Sequence, residues 1–142
     1  MSLNEEERKI IVGLEIEKAE NIVSQINELE KLSYWDNIAN RLYYALFHAV
    51  SALLIFDKHN VSTHKGSIVL FGQFYIKTGV FNINDGRLFS QLQTIREKSD
   101  YNCAYQTSED EIKPLIYPTR YCRCRRCGSH CRMRAGIPRQ SR

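Results

Sequence analysis

The sequence predicts an all-α fold, an antiparallel bundle of about five helices, from three observations. Apolar residues recur at spacings of three and four over most of residues 1–116, the period of helices that bury one face. No stretch alternates apolar and polar residues convincingly enough for a strand. The segments between these patterns are short and rich in Gly, Asn, Asp and Ser, so successive helices turn back on one another.

From Glu5 to Leu32 the apolar positions Ile10, Leu14, Ile22, Ile26 and Leu29, flanked by Ile11, Ala19 and Val23, predict a long amphipathic helix. The next, Tyr34 to Phe56, is apolar on nearly every face, which marks it as the central helix. "DKHNVSTHKG" breaks the pattern, and Thr63 is placed to cap a third helix over Lys65 to Lys77. "TGVFNINDG" reads as a loop. Asp85 would then cap a fourth helix with Leu88, Leu92 and Ile95 as its core stripe. Ser108 to Glu111, "SEDE", fits a capping box for a fifth helix, although Pro114 lies uncomfortably far into it.

A chain of 142 residues is about one domain's worth. The longest apolar run, Ala52 to Phe56, is far short of the roughly 18 residues that a membrane helix needs. "MSLNEEERK" is acidic where a secretion signal would be basic and then apolar, so a cytoplasmic protein with no membrane partner is expected. The net charge of +4 averages two unlike segments. Residues 1–116 hold 12 Lys and Arg against 16 Asp and Glu, a net of −4, while residues 117–142 hold eight Arg and no acid, a net of +8. That break divides a helical domain, 1–116, from an Arg- and Cys-rich tail, 117–142.

Along the second helix the polar positions Asn37, Arg41, Tyr44, His48 and Ser51 follow steps of four, three, four and three, forming one stripe. Such a stripe can be the solvent edge of a core helix. It can also handle phosphate, with Arg41 and His48 facing the anion and Tyr43 and Tyr44 offering rings for stacking. Later, "IREKSDYN" sets Arg96 four residues before Asp100 and five before Tyr101. Arg96 and Asp100 could be a plain helix-surface ion pair, worth about 0.3–0.5 kcal/mol.

"NRLYYALFHAVSALL" at 40–54, "THKGSIVLFGQFYIKTGVF" at 63–81 and "LFSQLQTIREKSDY" at 88–101 together resemble HEPN domains, over roughly residues 5–116. The resemblance implies a bundle that dimerises beside a minimal nucleotidyltransferase, as a toxin and antitoxin pair acting on RNA or nucleotides. Active members resemble metal-independent ribonucleases with an arginine and a histidine four to six residues apart, facing the dimer cleft. Carried over by position, the arginine is Arg96 and the histidine is replaced by Tyr101, with Asp100 just before it. A free phenol, with a pKa near 10, is deprotonated in about one molecule per thousand at pH 7, whereas imidazole serves as acid or base. The binding half of the motif is therefore present, while its proton-transfer half rests on a phenol that is a weaker base than imidazole.

Arg41, Tyr44, Arg96 and Asp100 are accordingly the expected nucleotide- or RNA-binding residues. Arg96 and Tyr101 are the candidate catalytic pair, with His48 as an alternative base. No cofactor and no metal are expected. The function implied is a nucleotide- or RNA-binding subunit, catalytically weak or inactive. An active ribonuclease using Tyr101 or His48, and a purely structural helical adaptor, stand as alternatives. In the tail, Cys122, Cys124, Cys127, His130 and Cys131 crowd more tightly than the paired ligands of usual zinc modules. The abrupt loss of Lys, Asp and Glu there reads better as a terminus altered by a shifted reading frame.

Overall fold

The computed structural model describes residues 3–60 and 63–120, together with the backbone of 131–134 and 137–140. Its helices are α1 (Glu5–Lys31), α2 (Trp35–Phe56), α3 (His64–Phe71), α4 (Ile83–Tyr101) and α5 (Glu109–Arg120). Two short strands, β1 (Cys131–Arg134) and β2 (Ile137–Gln140), pair antiparallel after the bundle. Cys122, Cys124, Cys127 and His130 lie outside the described residues.

α1 begins with a capping box, in which Asn4 accepts from the Glu7 amide at 2.8 Å and Glu7 accepts from the Asn4 amide at 3.0 Å. It ends in a Schellman turn: Ser33 adopts φ 58°, its amide bonds to the Glu30 carbonyl, and the Tyr34 amide bonds to the Leu29 carbonyl. The chain thereby reverses within three residues and lays α1 against α2. α2 closes in the same way, with Lys58 at φ 65° and the His59 amide on the Leu54 carbonyl at 2.8 Å. Arg8 reaches across from α1 to cover this end, donating to the Ile55 carbonyl at 2.7 Å.

Only part of the predicted α1 stripe is core. Ala19, Ile22 and Ile26 are buried, but Ile10 and Leu14 are exposed. Each step of four overshoots a helical turn, so Ile10 and Ile22, twelve residues apart, differ by about 120° around the axis. α2 is the centre of the bundle, with Ile38, Ala39, Leu42, Tyr43, Ala45 and Ala49 all fully buried. Among the described residues, α2 alone has the length and apolar composition to cross a membrane, yet more than half of its apolar stretch is packed inside the bundle.

Thr63 caps α3, accepting from the Gly66 amide at 2.9 Å. The predicted helix to Lys77 does not stay α-helical. After Phe71 it widens into a π turn, Gly72–Ile76, with the Lys77 amide on the Gly72 carbonyl at 2.9 Å. The cap of α4 is Asn82 rather than Asp85, because Asp85 is the third residue of a capping box and returns a bond to the Asn82 amide at 3.0 Å. Ser108 accepts from the Glu111 amide at 3.3 Å at the start of α5, and the helix carries both Pro114 and Pro118 on its exposed side. Exposed carbonyls that lose a helical partner to proline can bond to water instead. α5 thus runs through the compositional break and ends at Arg120, which donates to Asn27 of α1 at 2.5 Å.

Candidate functional site

α4 turns Leu88, Phe89, Leu92 and Ile95 into the core, and the same face carries Arg96. Its side chain is therefore pulled inward, and the residue is only 8% exposed. The guanidinium lies 4.8 Å from the ring centre of Tyr43 and 5.8 Å from that of Tyr44, a cation–π arrangement strengthened by partial desolvation. Nη1 donates to Asp100 at 3.1 Å, while Nε is buried with no hydrogen-bond partner among the described residues. Burial opposes the charge, but Tyr44, Tyr43, Asp100 and Tyr101 outweigh it and raise the pKa above its ordinary value. Arg96 is a permanent cation with unused donor capacity.

Tyr43, fully buried on α2, shares a hydrogen bond of 2.9 Å with Nδ1 of His64, the first residue of α3. Burial pushes the Tyr43 phenol up to about 12, against the opposing pull of Arg96, so the phenol keeps its proton. A protonated phenol can donate to the imidazole or accept from it, and the tautomer of His64 decides which group is the donor in this bond. Burial first, and then the charges of Arg96 and His48, hold the His64 pKa below 6.5. His64 is thus a neutral imidazole seated against Phe47, with ring centres 4.5 Å apart.

The α2 stripe runs alongside. Arg41 bonds to the Asn40 side chain at 3.1 and 2.6 Å through Nε and Nη2 and lies 5.8 Å from the Tyr44 ring centre. The rings of Tyr43 and Tyr44 meet edge to face at 5.1 Å. One turn further, the Nδ1 atom of His48 contacts Glu15 of α1 at 2.6 Å. Both side chains are about three-quarters buried, with relative exposures of 21% and 27%.

The predicted residues Arg41, Tyr44, Arg96 and Asp100 therefore gather around the tyrosine pair, and His48 flanks them. Tyr101 makes a side-chain hydrogen bond with Arg96 but lies at the rim of the cluster rather than inside it. Five residues on from Arg96 is about 140° around the helix, and Tyr101 is 81% exposed at the end of α4. Sequence reasoning missed two members. His64 was visible only as the opening of a helix, and Glu15 carried no signal, being one of several acids on α1.

The comparisons agree with this architecture. The family model of the HEPN domain matches residues 13–121, from the third turn of α1 to just past α5. A protein of Methanocaldococcus jannaschii named "Putative toxin" is 36% identical over 116 residues, 81% of this chain and 84% of that protein. A second from the same organism, with the same description, is 26% identical over 102 residues, 72% of this chain and 69% of that protein. A "UPF0332 protein" of Thermotoga maritima is 30% identical over 114 residues, 80% of this chain and 85% of its own length. With its helices and its arginine-centred motif accounted for, the chain belongs to the HEPN domain family.

Proposed function

We propose that this protein is a toxin-like, RNA- or nucleotide-binding subunit that works as a homodimer beside a minimal nucleotidyltransferase, as a poor catalyst at most. The observation that carries the reading is the state of Arg96. A cation that is 8% exposed, kept charged by Tyr44, Tyr43 and Asp100 and left with an Nε that has no partner among the described residues, has donor capacity suited to a phosphate. Arg41 supplies a second positive charge, and the Tyr43 and Tyr44 rings suit the stacking of bases. The name of the Methanocaldococcus relatives supports the toxin-like part, and the arginine-led motif supports the ligand class. Poor catalysis follows from the exposed phenol of Tyr101 standing where a histidine would transfer protons.

The test is fluorescence anisotropy with labelled single-stranded RNA, comparing the full chain with Arg96→Ala so that the arginine-rich tail is common to both. A charge-assisted phosphate contact is worth about 1.5–3 kcal/mol, so affinity should fall by about ten-fold or more. Equal affinities would remove Arg96 from the binding site, and no affinity at low salt would favour a structural adaptor.

A further inference from the structure

We propose that the outward ridge of α1, from Glu6 to Lys18, is a self-complementary surface on which two copies of this chain meet. The contact is separate from a dimer cleft at Arg96, so the two together would join dimers in pairs.

The inner side of α1 is committed to the bundle. Ala19, Ile22 and Ile26 are buried there, Arg8 donates to the Ile55 carbonyl and Glu15 reaches His48. On the other side, steps of four bring Glu6, Ile10, Leu14 and Lys18 into one ridge, and all four are exposed. Ile10 is five residues from Glu15, about 140° around the helix. Single exposed apolar residues are common on protein surfaces. Here two large ones, 62% and 59% exposed, adjoin at one-turn spacing, with a negative charge at one end of the pair and a positive charge at the other. Neither Glu6 nor Lys18 is in an ion pair among the described residues. Beside the ridge, a Cβ added at Gly13 would meet nothing within 4 Å, which leaves room for another backbone to come close.

The order of the four residues names the occupant. Glu-Ile-Leu-Lys read backwards is Lys-Leu-Ile-Glu, so an antiparallel copy sets Glu6 against Lys18 and Ile10 against Leu14. The two-fold axis repeats both pairs, and every contact is therefore favourable and made twice, as in an isologous dimer. A parallel copy would instead set Glu6 against Glu6 and Lys18 against Lys18. Ridges of residues four apart pack side by side with their helices crossing at about 50°, and this one runs for about 18 Å along α1. One such crossing is small beside the roughly 800 Å² that each partner gives to a standard interface. The association is accordingly weak and depends on concentration.

Full-length chain should be followed by sedimentation over a wide range of concentration, under a reductant that keeps its cysteines from cross-linking. Wild type should gain a step of association as concentration rises. Ile10→Gln and Leu14→Gln, changes at exposed positions of the helix, should each weaken that step by about ten-fold or more, since each lost contact is made twice. Glu6→Lys and Lys18→Glu should each weaken it by about five-fold at low salt, and the two combined should restore it, because only a copy that presents both residues is repaired by exchanging them. Association unchanged in Ile10→Gln and Leu14→Gln would overturn this contact alone. Failure of the combined exchange to restore association would also overturn it, and would mean that the ridge meets the arginine-rich segment or a different protein. A chain that stays monomeric at every concentration would overturn both this contact and the homodimer of the reading above.

Discussion

Tyr43 is the residue on which the site turns, since its ring faces Arg96 and its hydroxyl fixes His64. A consequence is testable through acid sensitivity. In the unfolded chain His64 titrates near 6.5, but in the folded protein burial, then Arg96 and then His48, hold it lower. Below pH 6.5 the unfolded state therefore binds a proton that the native state refuses, and stability is lost as pH falls towards the folded pKa. Urea midpoints at pH 7.5 and 5.5 should drop further in wild type than in His64→Gln; equal drops would mean that His64 is not held neutral. Arg41 and Tyr44 on α2, and Arg96 and Asp100 on α4, were legible in the sequence as two pairs, because helical spacing within each element brings its own pair together. Glu15 and His64 were not, since they reach the α2 stripe across 33 and 21 residues, distances over which periodicity says nothing.

At the level of elements, the fourth helix was legible in its core stripe but not in its cap, because Asn82 and Asp85 are both good capping residues and only the backbone decides which leads. The third helix was legible in extent, since α3 and the π turn together run from His64 to Ile76, but not in kind, because the π turn has no side-chain signature in "GQFYI". The turns between helices hold a different lesson. Ser33 occupies the left-handed region at φ 58°, a conformation that glycine adopts without steric cost. Relief of left-handed strain of about 1–2 kcal/mol, less about 0.5–1 kcal/mol for glycine's greater entropy loss on folding, should let Ser33→Gly stabilise the protein by about 0.5–1 kcal/mol, measured by chemical denaturation. A loss of stability would show that the serine side chain contributes more than its backbone strain removes.

For the molecule as a whole, charge is divided as sharply as composition, −4 before residue 117 and +8 from there on. On the RNA-binding reading proposed above, Arg96 and the arginine-rich segment would be two sources of affinity, and their dependence on salt would separate them. Single-stranded RNA binding weakens with salt by about 0.7 in log–log slope for each phosphate neutralised. Arg96→Ala should shift that slope by no more than about one contact while lowering affinity at every salt concentration; a much larger change in slope would mean that the substitution had also displaced the tail's contacts. The overall bundle was legible because its core helix is apolar on almost every side. That same property has a consequence during synthesis. α2, with the composition of a bilayer-spanning segment, emerges from the ribosome directly behind α1 and only three residues from it. The Schellman turn at Ser33 lets the pair close as a hairpin through local contacts, which form before distant ones. Before α4 and α5 have been made, α1 already screens one side of α2 from the membranes and nascent chains that would otherwise capture it.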